Sequence, residues 1–165
     1  MIPKVIHYCW FGGSTKPELF NKCISSWKKY CPDFKIIEWN ESNFNIHSCA
    51  YIEEAYAEKK WAFVSDYARL KIMAEYGGVY LDTDIEIVKP LSDLINNGGY
   101  MGIEEFDKSI KLITVNPGLG FACEKGSDII LGILAKYDVA HFKDSLGKVS
   151  YKTIVEFTTE LLLER

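Results

Sequence analysis

Tyr76-Gly77-Gly78-Val79-Tyr80-Leu81-Asp82-Thr83-Asp84 is the stretch from which the rest of the chain can be placed. Upstream of it, Trp61 to Tyr76 carries Val64, Ala68, Ile72 and Tyr76 on one helical face, and the glycine pair ends that helix as a C-cap. Val79-Tyr80-Leu81 then reads as a short apolar strand running directly into two carboxylates. Two residues apart on an extended backbone, Asp82 and Asp84 project to the same side. With little solvent to share, their repulsion raises one pKa unless a cation lies between or beyond them. Oxygen-only ligands without a nearby His or Cys suit a hard divalent ion, Mg²⁺ or Mn²⁺. The plainer reading of the tripeptide is a polar turn between strands.

Working outward, Val5 to Trp10 reads as a strand bounded by Pro3 and Gly12-Gly13, and Pro17 opens a first helical turn. Leu19, Phe20, Cys23, Ile24, Trp27 and Tyr30 recur at helical spacing until Pro32-Asp33, and Phe34 to Trp39 is a second strand. A polar loop over 40–45 and a helix over 50–60 follow. Strand, helix, strand is the opening of a parallel α/β sheet, whose ligands bind outside the carboxyl ends of the strands. Downstream, Ile85, Ile87 and Val88 read as a strand closed by Pro90, with further strands at Gly99 to Glu104 and Leu112 to Val115 in mixed or antiparallel pairing. Asn116-Pro117-Gly118 is a turn, Gly118 to Cys123 a strand, and helices start at Ser127 and span Tyr151 to Leu163. No repeat, linker or low-complexity run interrupts this single α/β unit.

The net charge of −4 and the pI near 5.4 argue against binding nucleic acid through a general basic field. They also mean that an anionic ligand needs a local cation. Aromatic residues at 14% foretell a ring-rich core and pocket. The five cysteines are odd in number and contain no Cys-x-x-Cys, which predicts free, mostly buried thiols and a reducing, cytoplasmic setting, with work near a membrane left open. No window approaches the about 18 apolar residues of a membrane span.

Asp66 and Arg69, at i and i+3, share a helix face. Alone they read as a surface ion pair contributing less than about 1 kcal/mol, but their place beside the glycine pair and the two aspartates makes them site candidates. Tyr8-Cys9-Trp10-Phe11-Gly12-Gly13 suits a planar base stacked on a ring, although Trp10 serves equally well as core. His7, inside an apolar strand, reads as a satisfied core histidine. His47 and His141 show no partner in the sequence, and Lys59-Lys60 reads as a solvated helix edge.

Ile2 to His7 with Trp10-Phe11-Gly12-Gly13, then Trp61-Ala62-Phe63-Val64-Ser65-Asp66-Tyr67-Ala68-Arg69, then Tyr76 to Asp84 resemble one family. It is the Asp-x-Asp sugar-nucleotide glycosyltransferases of the capsular-polysaccharide and mannosyltransferase group, related to the glucosylating domain of large clostridial toxins. The resemblance is dense over residues 2 to about 90 and loose beyond. It implies a GT-A fold, the Rossmann-like nucleotide-diphospho-sugar transferase architecture with a mixed central sheet. Residues 1–165 would form one domain, 1–90 binding the nucleotide sugar and 91–165 supplying the remaining sheet and helices.

The same resemblance implies a UDP- or GDP-sugar donor, Mn²⁺ or Mg²⁺, and a saccharide or lipid-linked saccharide acceptor. Trp10 would stack on the nucleobase and Tyr80 lie close to the donor. Asp66 and Arg69 would hold the donor sugar's hydroxyls, Arg69 also reaching phosphate. Asp82 would bind ribose or sugar hydroxyls beside the metal, with Asp84 as metal ligand; Asp66, Arg69 and Asp82 are the catalytic candidates. Relatives continue into a C-terminal segment with a His and a Ser-Trp pair. Here His141-Phe142-Lys143-Asp144-Ser145-Leu146 lacks the Trp, so a truncated C-terminal part is expected. The expected function is retaining, metal-dependent hexosyl transfer in surface or capsular polysaccharide biosynthesis. The alternative is a non-catalytic nucleotide-sugar-binding or interaction module of the same fold. A nucleotidyl- or phosphotransferase would want a phosphate loop that Gly12-Gly13 alone does not make.

Overall fold

The computed structural model describes residues 1–109 and 112–165. The elements are β1 (Val5–Cys9), α1 (Glu18–Tyr30), β2 (Lys35–Trp39), α2 (Ala50–Ala57), α3 (Trp61–Tyr76) and β3 (Gly78–Tyr80), then α4 (Ser92–Asn96), β4 (Tyr100–Met101), β5 (Ile103–Asp107), β6 (Leu112–Val115), β7 (Phe121–Cys123), α5 (Asp128–Asp138) and α6 (Ile154–Leu163). The main sheet has the order β2-β1-β3-β7-β4. Strands β2, β1 and β3 are parallel, with His7 opposite both Ile37 and Tyr80, whereas β7 runs antiparallel to β3 and to β4. The mixed central sheet expected from the resemblance is therefore present, and β5 and β6 pair separately.

Strand alternation sorts the inner side chains onto two faces. Ile6, Tyr8, Val79 and Ala122 pack with α1, whose Phe20, Cys23 and Trp27 are buried. Cys9, Tyr80, Phe121 and Cys123 face α2, α3, α5 and α6. His7 lies on the second face, 1% exposed, as the satisfied core histidine the sequence suggests. Its Nδ1 accepts from the Trp39 indole at 3.0 Å, so its Nε2–H donates to the Gly77 carbonyl at 3.0 Å. Burial pulls its pKa down to about 4, keeping the ring neutral against that opposing hydrogen bond.

The passage from α3 into β3 needs both glycines. Gly77 and Gly78 have φ of 65° and 110°, and a Cβ on Gly78 would stand 2.7 Å from the Val5 carbonyl oxygen. Elsewhere the structure corrects the sequence-based expectations. Residues 85–88 are not a strand but a strap lying across α1. The Trp27 indole donates to the Ile85 carbonyl at 2.8 Å, and the Ser26 hydroxyl accepts from the Ile87 amide at 2.9 Å, so side chains replace a ladder. The strand expected at Gly99 to Glu104 splits at Gly102 between two sheets. Between Asn116 and β7 the chain makes a 3-10 turn, Pro117–Leu119, so only Phe121–Cys123 is extended. The helix expected over 50–60 stops at Ala57, and Lys59 takes a left-handed φ of 55° before α3 begins.

The five cysteines are free; Cys9, Cys23, Cys31 and Cys123 are buried and Cys49 is half-buried. Among the described residues no helix is long and apolar enough to cross a membrane.

Candidate active site

A cleft of about 410 Å³ opens at the carboxyl ends of β1 and β3. Trp10, Phe11 and Pro17, which follow β1, and Trp61 give it apolar walls; Arg69, Asp82, Thr83 and Asp84 make its polar side. Trp61, Ser65 and Arg69 are four residues apart, so they fall on one face of α3, and that face is turned to the cleft. Trp10 is half-buried, its indole nitrogen donating to the Ser14 carbonyl at 2.8 Å, which fixes the ring against its own loop.

Arg69 organises the polar side. Its side chain is only 4% exposed, and it donates to Asp66 at 3.0 Å and through two nitrogens to the two Asp82 oxygens at 3.2 and 3.3 Å. Its Nε donates to the Ser65 carbonyl at 3.1 Å, and the Tyr80 ring lies 4.8 Å from the guanidinium carbon. The surface-pair reading of Asp66 and Arg69 is therefore replaced by a buried one, in which each charge depends on its partners.

Burial raises Asp66 to about 6 and the Asp82 charge adds to the shift, while Arg69 works against it. Asp82 is also raised, first by burial and then by Asp84, with Arg69 again opposing. Burial pulls the Arg69 guanidinium down, but Tyr80, Asp82 and Asp66 outweigh that and hold it firmly cationic. Cys9 lines the same cleft, yet burial pushes its thiol up to about 12, so it is no nucleophile.

The six residues singled out in the sequence take different places. Trp10, Arg69, Asp82 and Asp84 line the cleft. Asp66 and Tyr80 are not among its lining side chains and instead hold Arg69 from behind. The two aspartates do not sit on an extended backbone, because the Ile85 amide donates to the Asp82 carbonyl at 3.1 Å and closes a turn. Asp82 is thereby drawn onto Arg69, while Asp84 is left exposed at the mouth.

Sequence reasoning missed Trp61 and Ser65 in the cleft, and the turn at Asn116 to Gly118 that packs behind Asp82 and Arg69. A Cβ on Gly118 would lie 3.2 Å from Asp82 Oδ2 and 3.4 Å from Arg69 Nη1. The Asn116 side chain shapes that turn by accepting from the Gly118 amide at 2.7 Å. The fourfold spacing on α3 was a usable signal for the first two; the turn carried none for its partner across the sheet. His47 and His141 do find partners, Glu53 and Glu54, but outside the cleft. Among the described residues no three His, Cys, Asp or Glu side chains gather to hold a metal.

Comparison with known proteins agrees with this geometry. Residues 17–100 match the model of the glycosyltransferase sugar-binding region containing the DXD motif. An inositol phosphoceramide mannosyltransferase of Schizosaccharomyces pombe is 29% identical over 111 residues, 61% of this chain and 33% of the relative. An uncharacterized glycosyltransferase of Acanthamoeba polyphaga mimivirus is 33% identical over 104 residues, 59% of this chain and 41% of the relative. The chain thus spans well under half the length of these curated relatives. Among solved structures, the PaToxG glycosyltransferase superposes with a TM-score of 0.66 over 99% of this chain and 69% of its own, at 20% identity, a likeness of fold. With its mixed sheet, its cleft at the strand ends and the DXD turn within the matched region, the chain has a GT-A-like fold and belongs to the family of glycosyltransferase sugar-binding regions containing the DXD motif.

Proposed function

We propose that the cleft binds a UDP- or GDP-sugar and transfers its hexose to a saccharide or lipid-linked saccharide acceptor, with retention, in surface-polysaccharide assembly at the cytoplasmic side of a membrane. The observation that carries this reading is Arg69, locked between Asp66, Asp82 and Tyr80 at the side of an aromatic-walled cleft. The family match and the mannosyltransferase relative support it.

Charge decides what the donor needs. Around the cleft stand three carboxylates, Asp66, Asp82 and Asp84, against one guanidinium, and the nearby Lys16 is already paired with Glu38 at 2.7 Å. A diphosphate entering there requires an added cation. The donor set fits Mn²⁺ or Mg²⁺: it is oxygen-only and supplies just two carboxylates, Asp82 and Asp84, leaving the other positions to phosphate oxygens and water. When bound, such an ion neutralises the diphosphate and stabilises its departure. Trp10 stacks on the base, and Arg69 stabilises charge building on the leaving phosphate from a preset position that costs no reorganisation. Asp66 and Tyr80 act through Arg69 by fixing its plane. The acceptor hydroxyl is presented on the face the diphosphate leaves, and a departing phosphate oxygen takes its proton.

Donor hydrolysis and transfer, assayed with Mn²⁺ and with chelator, test the reading. Activity is expected to need the ion and to be lost in Asp84→Ala; metal-independent turnover surviving that substitution would sink the site. A donor-binding module without turnover is the second reading, motivated by the lack of a Trp in His141-Phe142-Lys143-Asp144-Ser145-Leu146. Tight donor binding by the full-length protein with no transfer or hydrolysis would establish it.

A further inference from the structure

A second concavity lies on the far side of the Asp82–Asp84 turn. It is an apolar groove of about 520 Å³ between the strap and the start of β4, walled by Leu81, Ile85, Val88, Leu94, Tyr100 and Leu119. Val88 is 68% exposed, and Leu94 and Leu119 are 45% exposed each, so three large apolar side chains left in water border this one feature. Nothing in the donor chemistry uses them.

The groove and the cleft share their dividing wall. Leu81 and Ile85 are the immediate chain neighbours of Asp82 and Asp84, and Leu119 follows Gly118, whose Cβ position is 3.2 Å from Asp82 Oδ2. Leu81 and the Tyr100 hydroxyl both approach Gly120, closing the groove floor directly behind that wall. The strap is held in place by the Trp27 and Ser26 hydrogen bonds, so the groove is preformed. A single molecule can therefore place a hydroxyl at the turn and lay a hydrocarbon stem along the groove. The groove's rim carries Lys89, Glu86 and Asp93, with Glu86 paired to Lys22 at 2.8 Å, so polar groups edge the apolar wall.

We propose that this groove holds the hydrocarbon chain of a lipid-linked acceptor, so that the acceptor reaches the donor from the Leu119 side. The proposal rests on the donor reading above and adds to it the class of acceptor and the residues that select it. A free saccharide would gain nothing from an apolar wall, whereas each buried methylene of an alkyl chain tightens binding about fourfold.

The test uses methyl-labelled chain in solution with two glycosides that differ only in the tail, methyl β-D-glucopyranoside and octyl β-D-glucopyranoside below its micelle concentration. Octyl glucoside is expected to shift the methyl resonances of Ile85, Val88, Leu94 and Leu119, and methyl glucoside to leave them in place. Val88→Asp with Leu94→Asp, both at exposed positions, is expected to weaken octyl glucoside binding at least about tenfold. The response of the Trp10 indole to UDP-glucose or GDP-mannose with Mn²⁺ should be unchanged in that variant. Equal shifts with both glycosides, shifts elsewhere, or no shifts overturn the proposal. So do changes in the same methyls with protein concentration alone, which would make the groove a contact between copies. If the groove fills but Trp10 responds to no nucleotide sugar, the donor reading fails and the acceptor assignment falls with it.

Discussion

Arg69 shows how much one side chain carries. It is the only cation contacting Asp66 and Asp82 among the described ion pairs, and it is itself buried. Replacing it with Met keeps the stem and removes the charge, leaving two carboxylates facing each other. Arg69→Met is expected to cost about 3 kcal/mol in urea unfolding near pH 7, because the orphaned charges pay their desolvation without a partner. His7 sets a pH dependence of its own. Its folded pKa of about 4 lies below the unfolded 6.5, so the unfolded state binds the extra proton between those values. Its contribution is therefore whole above about 6.5 and lost as pH falls toward about 4, roughly 3 kcal/mol in all. Asp66, raised to about 6, works in the opposite direction, since its folded form binds the proton first. Measuring stability against pH in the Asp66→Asn background removes one of the two opposing carboxylates, the raised Asp82 being the other. Proton NMR of His7 should show no titration above pH 5.

At the scale of elements, the strap over 85–88 and the α3 face explain why the site is legible only in part. Apolar residues at 85, 87 and 88 resemble a strand in any local reading, but they join neither sheet among the described residues. Ser26 and Trp27 of α1 satisfy the backbone instead. Ser26→Ala is expected to destabilise the chain by about 1 kcal/mol and to speed hydrogen exchange at Ile87 well above that at Val79. On the opposite face, the Tyr51 and Tyr137 hydroxyls are buried without a hydrogen-bond partner among the described residues. Their rings pack edge-on at 4.7 Å, so the aromatic contact survives loss of an oxygen. Tyr137→Phe is expected to raise the melting temperature, by the equivalent of about 1 kcal/mol, because an unsatisfied polar group is removed from the core.

At the scale of the whole molecule, an acidic chain holds its one buried guanidinium against two carboxylates, Asp66 and Asp82, with Asp84 exposed at the mouth, so ligand and cation must arrive together. Nucleotide sugar and Mn²⁺ together are expected to raise stability, by about 2.7 kcal/mol at a hundred times the dissociation constant, and nucleotide sugar in chelator to raise it far less. A thermal-shift series over UDP- and GDP-sugars checks this and ranks the donors.

The alternation of strand and helix, the glycine break before Val79 and the acidic pair after Leu81 were enough to specify an α/β sheet with a site at its strand ends. Each is a local signal, set by side-chain period or by backbone sterics within a few residues. The Arg69 pair with Asp66 was legible for the same reason, being one helical turn apart. Tertiary structure alone decided that Asp82 turns onto Arg69 while Asp84 faces out, that Gly118 packs against that pair, and that residues 85–88 form a strap bordering a groove. Those outcomes depend on contacts between residues far apart in the chain, where burial, charge pairing and hydrogen-bond satisfaction compete, and no local pattern records which of them prevails.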